Sequence, residues 1–249
     1  MNAEELLRRY AAGERVFRKV DLAGVNMSRT NLRDIDLSGA SLKGASAIGI
    51  TLYRANLYQA DISQGNFSQA NLMSANFGEC RAVGANLSGA ILRSAVLSGA
   101  DLTGASLRGA DMKDANLQRA ILSHVFAVNV NLQGANLTLV KLCGINLSKA
   151  NLTDANVTQA DLSFANLTQA NLSWANLSEA NLEKADLKGA DLSGANLSCA
   201  NLHLADLSGV SLKGANLRGA NLHQASLRGT NLKEANLREA MMPDGKISE

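Results

Sequence analysis

Proline and aromatic residues are nearly missing. One Pro and 4% aromatics in 249 residues exclude an ordinary globular core, where large rings supply much of the buried surface. Cysteine is scarce too. Cys80, Cys143 and Cys199 are odd in number and lack metal or redox spacing, so no disulfide framework is expected and a reducing, cytoplasmic setting is favoured. Neither sign of charge dominates: 24 basic and 22 acidic residues leave +2, which gives no large field for steering nucleic acid or an anionic membrane. No apolar run is long enough to span a bilayer, and the opening MNAEELLRRYAAGER has four charges within nine residues and no apolar signal segment.

What the chain does have is a repeat. Hydrophobic residues still make up 46%, too much for disorder, and most of them are Ala and Leu. Stepping by five from Leu167, the frame runs unbroken through 45 pentads from residue 20 to residue 244. Leu holds 35 of the 45 centres, Ala holds 32 of the positions two before, and Asn or Asp holds 32 of the positions one before. Glycine recurs two after the centre, at Gly24, Gly39, Gly44, Gly84 and Gly89.

A five-residue period is neither a helix nor a strand period. It fits two inward positions separated by one outward residue, followed by a two-residue corner that glycine eases. Four right-angled corners close a coil of 20 residues, and coils stacked at ~4.8 Å give about 11 coils and roughly 50 Å of length. The A(N/D)LXX pattern resembles the pentapeptide-repeat family, and its terminal segments LLRRYAAGERVF and AMMPDG are similar to those of cyanobacterial members. The resemblance implies an all-β solenoid, a right-handed quadrilateral β-helix. The expected organisation is a capping helix and linker over residues 1–15, the β-helix over 16–244 and a tail over 245–249. Residues 3–11 read as the helix, with Leu6, Leu7 and Tyr10 on one side.

In such a fold Leu and Ala fill a narrow interior, while Asn and Asp bond turn backbone and form ladders along the stack. The Asn residues are therefore scaffold. No pocket, long insertion, nucleotide-binding glycine motif or pair of catalytic carboxylates is visible, so no enzyme, catalytic residue, cofactor or metal is expected. The column Glu183, His203, His223 could bring three zinc ligands into line, but a flat wall suits tetrahedral coordination poorly.

Information must then lie in exceptions and free positions. Ala replaces the centre at Ala47, Ala82 and Ala127, each followed by an aliphatic (Ile48, Val83, Val128) that is expected to turn inward as compensation. Ile91, Val96, Ile121 and Phe126 replace Asn/Asp and suggest a sticky region. Residues 20 apart stack outward, and one column reads Arg33, Tyr53, Met73, Arg93, Lys113, with Arg54 and Tyr58 alongside. Aromatic, Met and Arg enrichment marks protein-binding surfaces, which makes this strip the candidate site. Trp174 and Phe164, half a coil apart, rank below it.

The expected function is a non-enzymatic regulatory scaffold that binds another protein. The resemblance also implies an alternative, a topoisomerase interactor that imitates duplex DNA. A mimic of a phosphate polymer should be strongly acidic, which this chain is not. Nucleic-acid binding through Arg33, Arg93 and Lys113 is opposed by nearby Asp34 and Asp114. A monomer is favoured over a C-terminal end-to-end homodimer.

Overall fold

A computed structural model describes all 249 residues and divides the chain into two compact units, Met1–Phe126 and Ala127–Glu249. Both use one device. Residues at the Asn/Asp position bridge in parallel to residues 20 further on: Asp21 to Ser41, Ser41 to Asp61, and so on to Ser106 with Phe126 in the first unit. In the second unit the series runs from Asn131 with Asn151 to Asn221 with Met241. Four pentads thus separate each residue from its partner, and only one residue per pentad is extended enough to bridge. The pentad centres point inward as expected: Leu32, Leu52 and Leu72, like Leu167, Leu187 and Leu207, are fully buried.

Pentad 36–40 shows why the pattern needs its polar residue. Asp36 N donates to Arg15 O (2.7 Å), Leu37 N to Asn56 O (2.8 Å) and Gly39 N to Tyr58 O (2.9 Å), all between coils. Ala40 N closes the turn on Leu37 O at 3.0 Å. The remaining donor, Ser38 N, reaches the Asp36 side chain at 3.0 Å. All five N–H groups are satisfied, one of them by the Asn/Asp position alone. The same side chains also form ladders, such as Asn236 to Asn216 (3.1 Å) and Asn216 to Asn196 (3.0 Å).

Glycine eases only some of the corners. The second corner residue is left-handed in all 45 pentads from Lys19 to Glu239, and 28 of these are not glycine, with φ between +53° and +62°. The turn takes the positive φ of a type II corner whatever residue stands there, at roughly 1 kcal/mol for each non-glycine. Pairing along the stack overrides local preference.

The N-terminal helix α1, Ala3–Ala11, begins at Asn2, whose side chain accepts from Glu5 N at 2.9 Å. It lies over the first coil. Leu6 is fully buried, the Met1 amino group donates to Asp21 O (2.9 Å) and Tyr10 Oη donates to Arg33 O (3.0 Å). At the other end the tail is not free. Pro243, Asp244 and Gly245 (φ +83°) reverse the chain, and Ile247 pairs antiparallel with Met241. Pro243 lacks an N–H where Met241 offers no acceptor for one. This reversal covers one side only, and Leu227, Leu232 and Leu237 remain half-exposed.

Two other expectations need correction. Ile48, Val83 and Val128 are half-exposed, like Ser38, Ser68 and Ser88 at the equivalent place, so they do not compensate for the small centres. The corner carries its side chain outside the bridge, and around Ala82 an apolar cavity of about 10 Å³ remains, lined by Ile62, Phe77 and Leu102 among others. Ile91, Val96, Ile121 and Phe126 fall on four different sides of the 20-residue coil, because each belongs to a different bridge series. They form no common patch, although Ile91 (40%), Val96 (38%) and Phe126 (58%) are exposed.

Compensation does occur between Gly65 and Phe67. A Cβ on Gly65 would sit 2.6 Å from Phe67 Cε2 and 2.9 Å from Ile62 O. Gly65→Ala should lower stability by about 1–3 kcal/mol, and Phe67→Leu in the same chain should return part of that loss. A denaturant double-mutant cycle measures the coupling; simple additivity would show that the two residues do not share space.

Candidate functional site

The predicted strip lies on one outer side of the first unit, at the corner position that follows each pentad centre. Its first three residues come together: Arg33, Tyr53 and Met73, with Asn31, Thr51 and Asn71, line a shallow depression of about 290 Å³. The Arg33 guanidinium stands 5.6 Å from the Tyr53 ring centroid, a cation–π distance. Asp34 holds Arg33 (Nε–Oδ2 3.1 Å) and Arg54 (Nε–Oδ1 3.4 Å) on the same corner. The Arg93 Nε–Asp111 Oδ2 pair is 2.5 Å long. Further along, Lys113 N caps on Asp111 Oδ1 at 3.3 Å.

Tyr58 does not join this group. One pentad further round the coil, its ring packs over Gly78, where an added Cβ would come within 3.1 Å. A hydrogen bond with Glu79 raises the Tyr58 pKa. Glu79 is lowered in turn, first by Gln59 and then by Tyr58, and Gln59 Nε2 lies 2.8 Å from Glu79 Oε2. Arg54 belongs to the strip through Asp34, whereas Tyr58 belongs to the next side.

In the second unit, the His203 and His223 rings stack at 5.3 Å with 14° between planes, and His203 Nδ1 lies 2.9 Å from His223 O. One imidazole nitrogen is thus engaged with backbone, and no group of three or more His, Cys, Asp or Glu side chains converges. Phe164 carries the Lys184 ammonium 5.0 Å from its ring centroid. Cys80 is inward, and burial pushes its thiol up to about 12, so it does not supply a thiolate. Cys143 and Cys199 are exposed.

Sequence reasoning ranked Trp174 low and missed its bed. The ring, 69% exposed, lies on Gly194, so that a Cβ there would be 2.6 Å from Trp174 Cε3. Gly194, Gly214, Lys213 and Glu234 continue a groove from it. The available signal was two glycines at 20-residue steps after the only tryptophan.

With this geometry in view, the family model for pentapeptide repeats matches segments running from residue 35 to residue 246. The chain is similar to HetL, a pentapeptide repeat protein involved in heterocyst differentiation regulation in the cyanobacterium Nostoc sp. strain PCC 7120. Identity is 37% over 100% of both chains, with a TM-score of 0.55. It is also similar to Rfr23 from the cyanobacterium Cyanothece 51142, at 39% identity over 43% of this chain and 82% of that one, TM-score 0.30. Full-length QnrB1, a plasmid-mediated fluoroquinolone resistance protein, matches at 18% identity over 88% of this chain and 92% of its own, TM-score 0.25. No curated protein matches. No helix is long and apolar enough to cross a membrane.

The tryptophan contact is open to direct measurement. Gly194→Ala should lift the ring, shifting Trp174 emission to longer wavelength and raising quenching by acrylamide. Far-UV dichroism should stay unchanged. An unaltered emission spectrum would mean that the ring does not rest on Gly194.

Proposed function

The chain belongs to the pentapeptide-repeat family, and from that premise we propose that it is a non-enzymatic, cytoplasmic scaffold that binds another protein and serves a regulatory role. The same reading takes it as a right-handed quadrilateral β-helix of about 11 coils, consistent with parallel bridges at 20-residue steps. One observation carries the binding role: Arg33, Tyr53 and Met73 form a depression that joins an aromatic, a methionine and an arginine on one outer side of the first unit. Rigid repeats vary their outward residues independently of their core, which suits them to recognising other proteins. Full-length similarity to HetL, itself described as involved in differentiation regulation, supports the regulatory half. A duplex-mimicking, topoisomerase-directed role is disfavoured by 24 basic against 22 acidic residues, and the same balance speaks against nucleic acid and membranes as partners.

The test is capture of partners from native lysate on the immobilised protein, followed by cross-linking and mass spectrometry. Cross-links should concentrate along the Arg33–Lys113 column, and the Tyr53→Ala, Arg93→Ala double variant should weaken binding of the captured protein by tenfold or more, on the order of 1.4 kcal/mol or above. Undiminished affinity, with cross-links elsewhere, would displace the strip as the site.

The scaffold is proposed to act as a monomer, because the Met241–Ile247 reversal shields part of the last coil and pairs one edge that would otherwise template another copy. Light scattering over a dilution series should return a monomer mass independent of concentration. A dimer mass at high concentration, split by Met241→Glu with Met242→Glu, would reverse this.

A further inference from the structure

Half a coil from the strip, on the opposite side of the first unit, Lys43, Asp61, Ser63, Gln64, Arg81 and Val83 line a polar depression of about 150 Å³. Ser63 occupies the first corner position, where most side chains stand half-exposed or exposed, yet it is only 4% exposed. Its N–H caps on Asp61 Oδ1 at 2.9 Å. Its Oγ makes no hydrogen bond of normal geometry with any neighbour. Burial acts to raise the Asp61 pKa, but the nearby Ser63 hydroxyl and N–H, with Arg81 and Lys43, hold it below its ordinary value.

The two cations are unusual in their placement. Arg81 stands in the Asn/Asp ladder itself, bridged between Asp61 and Asp101. Lys43 lies one coil before Ser63 on the same corner, and neither cation is held in a salt bridge. The second unit supplies an internal contrast. Ser163 is buried in the same way (7% exposed), with Cys143 and Asn181 where Ser63 has Lys43 and Arg81; its ladder cation, Lys141, bridges Asp161 from the preceding coil, where the first unit has Ser41. Burial of the serine recurs without a cation at either of those two positions, so Lys43 and Arg81 are not a requirement of the fold.

We propose that this depression is an oxyanion-binding pocket. One ligand oxygen accepts the Ser63 hydroxyl proton, and others accept from Lys43 Nζ and the Arg81 guanidinium, whose fork suits a two-oxygen acceptor. Lys43 and Arg81 supply the attraction for an anion and the Asp61 carboxylate opposes it; a second carboxylate, Asp101 on the far side of Arg81, is engaged at Oδ1 by Thr103 N (3.0 Å) and Thr103 Oγ1 (2.6 Å). The shared chemistry is that of a carboxylate or phosphate oxyanion, from a partner protein's Asp or Glu side chain or from free phosphate. The site is independent of the strip.

The experiment follows the amide resonances of Ser63, Gln64 and Arg81 in the full ¹⁵N-labelled chain at constant ionic strength. Inorganic phosphate is titrated in one arm and a blocked Gly-Asp-Glu-Gly peptide in the other. Saturable shifts at these residues are expected, weakened about tenfold by Ser63→Ala and by Arg81→Gln, as loss of one charge-assisted bond implies. Lys43→Gln, on the exposed rim, tests the same point without touching the coil. Saturation by phosphate alone assigns free phosphate, saturation by peptide alone assigns a partner's carboxylate, and saturation by both supports the common chemistry. Absence of saturation in both arms, or wild-type binding by all three variants, overturns the pocket. Tyr53→Ala should leave these titrations unchanged, which separates this outcome from the fate of the strip.

Discussion

Within each unit, parallel pairing of one residue per pentad with the one 20 positions on is the constraint from which the rest of this molecule follows. It uses three backbone N–H groups of a pentad between coils and leaves one for the turn, so a fifth donor must find a side chain. In pentad 36–40 that acceptor is Asp36. The recurrence of Asn and Asp is thus a solution to hydrogen-bond supply, since an unmet backbone donor costs of the order of 1–3 kcal/mol when buried. Densely recurring polar residues here mark structure, and their abundance says nothing of chemistry.

The same constraint moves function outward. An interior filled mostly by Leu and Ala has no room for a substrate; the void beside Ala82 is about 10 Å³ and apolar, close to the volume of one water probe and without polar partners to hold one. What varies is the corner. Residues there stack on their equivalents one coil away, so neighbours in space are separated by 20 in sequence. Arg33, Tyr53 and Met73 become a surface by this route, and so do Trp174 and Gly194. Functional diversity within one fold is then a matter of which columns carry which side chains.

Irregularities are absorbed locally, and the scale on which this happens is informative. Gly65 accommodates Phe67 two residues away, inside one pentad. Pro243 removes the donor that Met241 could not have capped. By contrast, Ala82 and Val83 do not exchange volume, because centre and corner lie on opposite sides of the bridge and the turn cannot bring the corner side chain back in. Repair therefore occurs among positions on the same side of the wall.

The pentad frame, the inward Leu and Ala, the polar ladder and the capping helix with Leu6 were legible from residues alone, because each is dictated by a short periodic rule or a local capping signal. The column from Arg33 to Lys113 was legible too, once the coil length was taken as 20, since a column is only arithmetic on the sequence. Other properties were decided by tertiary structure. Stacking forces the left-handed corner on Trp174, Leu139 and 26 other non-glycines, against the preference each would show in isolation. Rotamers placed Tyr58 over Gly78 beside Glu79 and away from Tyr53. The burial of Ser63 between Lys43 and Arg81, and the reversal that lays Ile247 on Met241, depend on side chains from coils 20 residues apart and on the direction taken by a free end. A five-residue pattern encodes position on the wall; it does not encode how a side chain leans once its neighbours above and below are in place.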